Sequence, residues 1–153
     1  MSKRIIYSLI IVSTIGIGLF ILINNTKYTS FDELYSDQIN EESTIQKIDI
    51  TIDTNIDSRT TSIEDESIIA HILSDLSSIE LKDEDGTINN HTHRVSITTT
   101  NQLEDRLFST DRITLRMNHQ FFNQYRIVSE THHLATINSL VERDDINWDI
   151  RPN

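Results

Sequence analysis

The sequence predicts an α+β protein: an N-terminal transmembrane helix followed by one small domain, mainly antiparallel sheet with two helices packed on one face. Three observations carry that prediction. Residues 5–23 hold no charged side chain, isoleucines alternate with polar residues after residue 45, and two later stretches place aliphatic residues at helical spacing.

The charge-free run, 19 residues directly behind Lys3 and Arg4, rises roughly 28 Å as a helix, close to a bilayer's hydrocarbon thickness of about 30 Å. Its hydroxyl residues Tyr7, Ser8, Ser13 and Thr14 can bond back to helix carbonyls, and Gly16 and Gly18 are tolerated in lipid. A cleavable secretory signal needs a shorter apolar core and a small-residue cleavage site. This run ends instead in Leu22-Ile23-Asn24-Asn25, so an uncleaved anchor is expected. Lys3 and Arg4 flank one end and Lys27 alone the other, which places residues 1–4 in the cytoplasm and the part of the chain after residue 23 outside it. The chain has no cysteine to acylate, and a cysteine-free domain suits an oxidising compartment.

Three of the 13 basic residues, Lys3, Arg4 and Lys27, precede residue 28 and none of the 24 acids does, which leaves a net charge of about −14 beyond it. That balance and location argue against nucleic acid as a partner. The acidity is uneven. Residues 31–90 carry sixteen acids and three bases, whereas residues 91–143 carry five acids and six bases, all arginine.

Residues 24–44 read as a juxtamembrane linker with a short helix: Ser30 and Glu33 fit a capping box, and Phe31, Leu34 and Tyr35 share a helical face. The domain proper is expected over 45–153, enough for one core and no second domain. Ile48, Ile50 and Ile52 alternate with Lys47, Asp49, Thr51 and Asp53, the pattern of a strand with one buried face. Asp57-Ser58 suggests a turn, and 59–63 a second, shorter strand. Glu64, Asp65 and Glu66 then favour a helix N-terminus, and Ile68, Ile69, Ile72, Leu73 and Leu76 give that helix an apolar stripe.

Residues 82–90 read as a loop. Val95, Ile97 and Thr99 mark a strand face, Leu107 and Phe108 another strand that turns at Asp111 into Ile113, Leu115 and Met117, and Tyr125 and Ile127 a last one. A closing helix is expected over 130–142, capped by Ser129, with Leu134, Ile137, Leu140 and Val141 inward. Residues 144–153 form an acidic tail in which Trp148 and Ile150 dock. Short turns between the later strands favour antiparallel pairing over a βαβ series.

The order of an isoleucine-alternating strand, a helix over residues 61–73, an Ile79-Glu80-Leu81-Lys82 exit, a meander and a closing helix resembles the YhfM-like lipoprotein domain, a small envelope domain of Gram-positive bacteria, over residues 45–142. The resemblance implies fold and envelope location. It brings no catalytic residues, and this chain departs from it in having an apolar N-terminal run in place of a lipidated cysteine.

No chemistry-bearing motif points to an enzyme. Gly86, the one glycine outside the apolar run, supplies neither a phosphate loop nor a nucleophile elbow, and no cofactor is expected. His91 and His93, at strand spacing, are the candidate metal ligands, but no further ligand stands at a recognisable spacing. Asp83, Asp85 and Gly86 match part of a calcium loop whose first and last positions, Leu81 and Thr92, are not carboxylates. If the aliphatic positions face the helices, alternation puts Arg94, Arg112, Arg116 and Arg126 together on the opposite, solvated face. Two roles compete for them: cross-strand pairing with Glu104, Asp105 or Asp111, or recognition of an anionic envelope component or acidic protein partner. The expectation is a single-pass, membrane-tethered extracytoplasmic binding or interaction module, the alternatives being a sensor or carrier of a metal or small anion, and an enzyme.

Overall fold

The structure is a computed structural model that describes residues 28–40, 43–84, 90–104, 107–130 and 132–153. One nine-stranded, wholly antiparallel sheet dominates it. In chain order the elements are β1 (Tyr28–Ser30), α1 (Phe31–Tyr35), β2 (Ser43–Asp53), β3 (Asp57–Ile63), α2 (Glu66–Ser77) and β4 (Glu80–Asp83). They continue with β5 (His93–Glu104), β6 (Leu107–Met117), β7 (Phe121–Phe122), β8 (Tyr125–Ile127), α3 (Ala135–Val141) and β9 (Asp149–Pro152). Across the sheet the order is β1-β4-β8-β7-β6-β5-β2-β3-β9.

The expected fold class is corrected in two respects. Among the described residues three helices, not two, accompany the sheet, and none is long and apolar enough to cross a membrane. The run at 5–23 lies outside the described residues. Among the described residues strand accounts for 48% and helix for 21%, so the sheet is the body of the domain and the helices are its cover.

Alternation builds the core. Ile48, Ile50 and Ile52 of β2, Val95 and Ile97 of β5, and Ile113, Leu115 and Met117 of β6 are buried on one face. Ile69, Ile72 and Leu76 of α2 and Ile137 and Leu140 of α3 close over them. Ile68 and Leu73, on the flanks of the α2 stripe, are partly buried. Asp65 caps α2, its carboxylate accepting from the Ile68 amide at 2.9 Å. Because α2 links β3, near one edge, to β4, near the other, it carries the chain over the covered face.

β1 and α1 join this body. Ser30 caps α1, accepting from the Glu33 amide at 3.2 Å, while the Glu33 carboxylate takes the Thr29 hydroxyl at 3.0 Å. Phe31 is buried and meets Phe122 edge to face at 6.0 Å. Asn123, between β7 and β8, holds a left-handed backbone at φ 51° and donates through its side chain to the Tyr35 hydroxyl at 2.8 Å.

Other boundaries differ from the expected ones for identifiable reasons. β6 passes through Asp111 without turning, because Asp111 pairs with Thr99 in an unbroken ladder. β3 starts at Asp57, and the turn before it is built by Thr54, whose hydroxyl accepts the Ile56 and Asp57 amides. Residues 80–83, expected in part as loop, form β4 between β1 and β8. α3 begins at Ala135 with no side-chain cap, since Ser129 instead accepts from the Glu80 amide at 2.9 Å. The tail supplies edge strand β9, paired with β3; Trp148 donates to the Leu140 carbonyl at 3.3 Å, and Ile150 stays 55% exposed.

Candidate functional site

The three helices cover one face of the sheet; the other is open. Its side chains follow from register. Asp49 lies opposite Ser62 on β3 and Ser96 on β5, which lies opposite Thr114 on β6. The flanking rows are Lys47, Thr98 and Arg112 on one side, and Thr60, Thr51, Arg94 and Arg116 on the other. Arg126 sits farther along, opposite Lys82 on β4 and Phe121 on β7. All four candidate arginines therefore stand on the open face.

Hydroxyls knit this face together. Thr51 and Thr60, Ser96 and Thr114, and Thr100 and Thr110 each sit 3.3 Å apart across strands. They leave a polar surface of threonine and serine from which the arginines project.

The arginines divide into two kinds. Arg112 reaches the Asp49 carboxylate at 2.7 Å, and Lys47 reaches it at 3.1 Å. Burial pushes the Asp49 carboxyl up, but hydrogen bonds from Ser62 and Lys47 and the charges of Lys47 and Arg112 outweigh it and hold it below its ordinary value. Arg126 pairs with Glu84 at 2.6 Å and lies over the Phe121 ring at 5.5 Å. Arg94 and Arg116, by contrast, are exposed and directly opposite each other on β5 and β6, and neither has an ion pair among the described residues.

None of the acids expected to pair with the arginines does so among the described residues. Asp111 stands opposite Thr99, on the covered side, and Asp105 and the Glu104 side chain lie outside the described residues. The observed partners, Asp49 and Glu84, are 63 and 42 residues from their arginines.

His91 and His93 sit in different settings. β5 begins at His93, so His91 precedes the strand, and its Nε2 donates to the Asn123 carbonyl at 3.0 Å. His93 is buried on the covered face and shares a 2.8 Å hydrogen bond with Thr92. Among the described residues no group of three or more His, Asp or Glu is arranged to hold a metal.

One cluster has no signature in the sequence. His119, His132, His133, Leu134, Ala135 and Asn138 line a cavity of about 120 Å³ beside the start of α3. His133 is buried and donates through Nε2 to the Asn118 carbonyl at 2.9 Å. Burial holds the nearby His93 imidazole below its ordinary pKa; His119 and His133 act in the same sense, and Asn138 and Asp53 oppose.

Compared with protein-family models, curated proteins and solved structures, the chain matches none.

Proposed function

We propose that this protein is a membrane-tethered, extracytoplasmic binding module whose open sheet face takes an anionic component of the envelope or an acidic partner. The observation that carries the reading is the Arg94–Arg116 pair. Like charges directly opposite across a sheet are destabilising, by a fraction of about 1 kcal/mol. A chain with 24 acidic residues has carboxylates to spare, yet the described ones leave this pair uncompensated while neutralising Arg112 and Arg126. Two planar forks side by side suit carboxylate or phosphate oxygens. The tether rests on the charge-free run at 5–23 and its basic flank.

The same pair suits a small anion, which makes a small-anion carrier the second reading. The full chain in detergent, titrated with inorganic polyphosphate and separately with orthophosphate, distinguishes them. The binding-module reading expects polyphosphate to bind more tightly as salt is lowered, with Arg94→Gln and Arg116→Gln together abolishing the gain. The carrier reading expects orthophosphate to bind as well as the polymer. Binding untouched by the double substitution overturns both.

A further inference from the structure

We propose that the anionic component is the headgroup layer of the membrane itself, on which the open face lies through a row of two cations flanked by two rings. The inference rests on the reading of this face as the anion-binding one.

The row follows from register. Tyr28 of β1 pairs with Lys82 of β4, Lys82 with Arg126 of β8, and Arg126 with Phe121 of β7. Four adjacent strands thus put ring, cation, cation, ring in one line across the open face. The cations lie on the rings: Lys82 is 5.9 Å from the Tyr28 centroid, and Arg126 is 5.5 Å from that of Phe121. Tyr28 is 45% exposed. Side chains with an apolar body and a polar or charged tip are the ones that settle at a bilayer's headgroup level. Arg116 and Arg94 extend the positive surface from β6 to β5. Arg126 is partly offset by Glu84 and Glu80 shares the face of Lys82 on β4, so Lys82, Arg94 and Arg116 supply the surplus of positive charge.

Chain geometry points the same way. The row begins on β1, and residues 24–27 alone separate β1 from the charge-free run. Fully extended, those residues reach at most roughly 14 Å. A domain held that close to a surface meets it with whichever face carries the complementary charge. The covered side cannot supply it, since Asp32, Glu33, Asp65 and Glu66 crowd α1 and the start of α2.

The absence of cysteine makes the test clean. The full chain is reconstituted into phosphatidylcholine vesicles with or without phosphatidylglycerol, carrying a single fluorophore at Thr114→Cys on the open face or Ser74→Cys on α2. With phosphatidylglycerol, the Thr114 label is expected to be quenched by a lipid-borne quencher and shielded from iodide, and the Ser74 label is not. Replacing Lys82, Arg94 and Arg116 by Gln should weaken docking by about fivefold per cation, while replacement of the two arginines by Lys retains it. A Thr114 label equally open to iodide on both kinds of vesicle overturns the inference. If arginine-dependent polyphosphate binding then persists, the anion-binding reading survives without the membrane; if it too is absent, both fall.

Discussion

Asn123 concentrates several bonds in one side chain and backbone unit. Its amide donates to the Arg116 carbonyl at 2.6 Å, its Oδ1 accepts the Arg116 amide at 2.8 Å, and its Nδ2 reaches Tyr35. Asparagine tolerates the left-handed backbone that these bonds require, where a residue with an ordinary Cβ loses about 1–2 kcal/mol. Asn123→Ala is therefore expected to cost about 2–3 kcal/mol in urea melts, with Asn123→Gly recovering the backbone part but not the Tyr35 contact. His93 supplies the other prediction at this scale. Its folded pKa lies below the ordinary value, so above about pH 6.5 both folded and unfolded chains are neutral there and stability is complete. As pH falls from there through the folded pKa, the unfolded chain takes up the proton first and stability is lost. His93→Gln should flatten the fall in urea midpoint between about pH 6.5 and 5; an unchanged slope would assign it to another group.

Among the elements, α2 gives the cleanest test of packing. Ile72 is 1% exposed and Leu73 only partly buried. Ile72→Ala should cost about 2–5 kcal/mol, and Leu73→Ala distinctly less, although the two are neighbours in one sequence stripe. Equal losses would contradict the helix orientation. How much of the fold the sequence revealed follows the same logic. The isoleucines of β2 and the paired aliphatics of β6 carry their face in a local period of two, so strand and buried side are both readable. Since alternation also assigns the opposite face, the placement of the four arginines was readable with it. Their partners were not. Asp49 meets Arg112 through the register of β2 on β5 and β5 on β6, a long-range property that no local pattern encodes. β9 was hidden for the same reason, since it pairs with β3 some 90 residues away. The start of α3 is not legible, because Ser129 looks like a cap in sequence but its hydroxyl accepts the Glu80 amide.

At the scale of the whole molecule, charge and cover are separated. Acids stand in the first turns of α1 and α2 on one side, and the open face carries the four arginines, with Asp49 among them, on the other. Both edges are short: β1 has three residues, and β9, of four, carries Asp149, Arg151 and Pro152, which discourages strand addition there. If the charge-free run tethers the domain outside the cytoplasm, a C-terminal alkaline phosphatase fusion should be active and remain in the membrane fraction. Soluble, shortened protein in the medium would identify the run as a cleaved signal.

The central claim is that Arg94 and Arg116 are held together for a ligand and against stability. It is tested most directly by the thermal midpoint of the full chain and of its Arg94→Gln, Arg116→Gln variant, each measured without and with inorganic polyphosphate. Without polyphosphate the variant should melt no lower than the parent, because removing the like-charge contact relieves a cost of about 0.2–1 kcal/mol. With polyphosphate the parent should rise by mass action and the variant should not. A variant that melts lower without polyphosphate yet shifts as far with it would contradict the account, since the arginines would then support the fold and leave the anion to bind elsewhere.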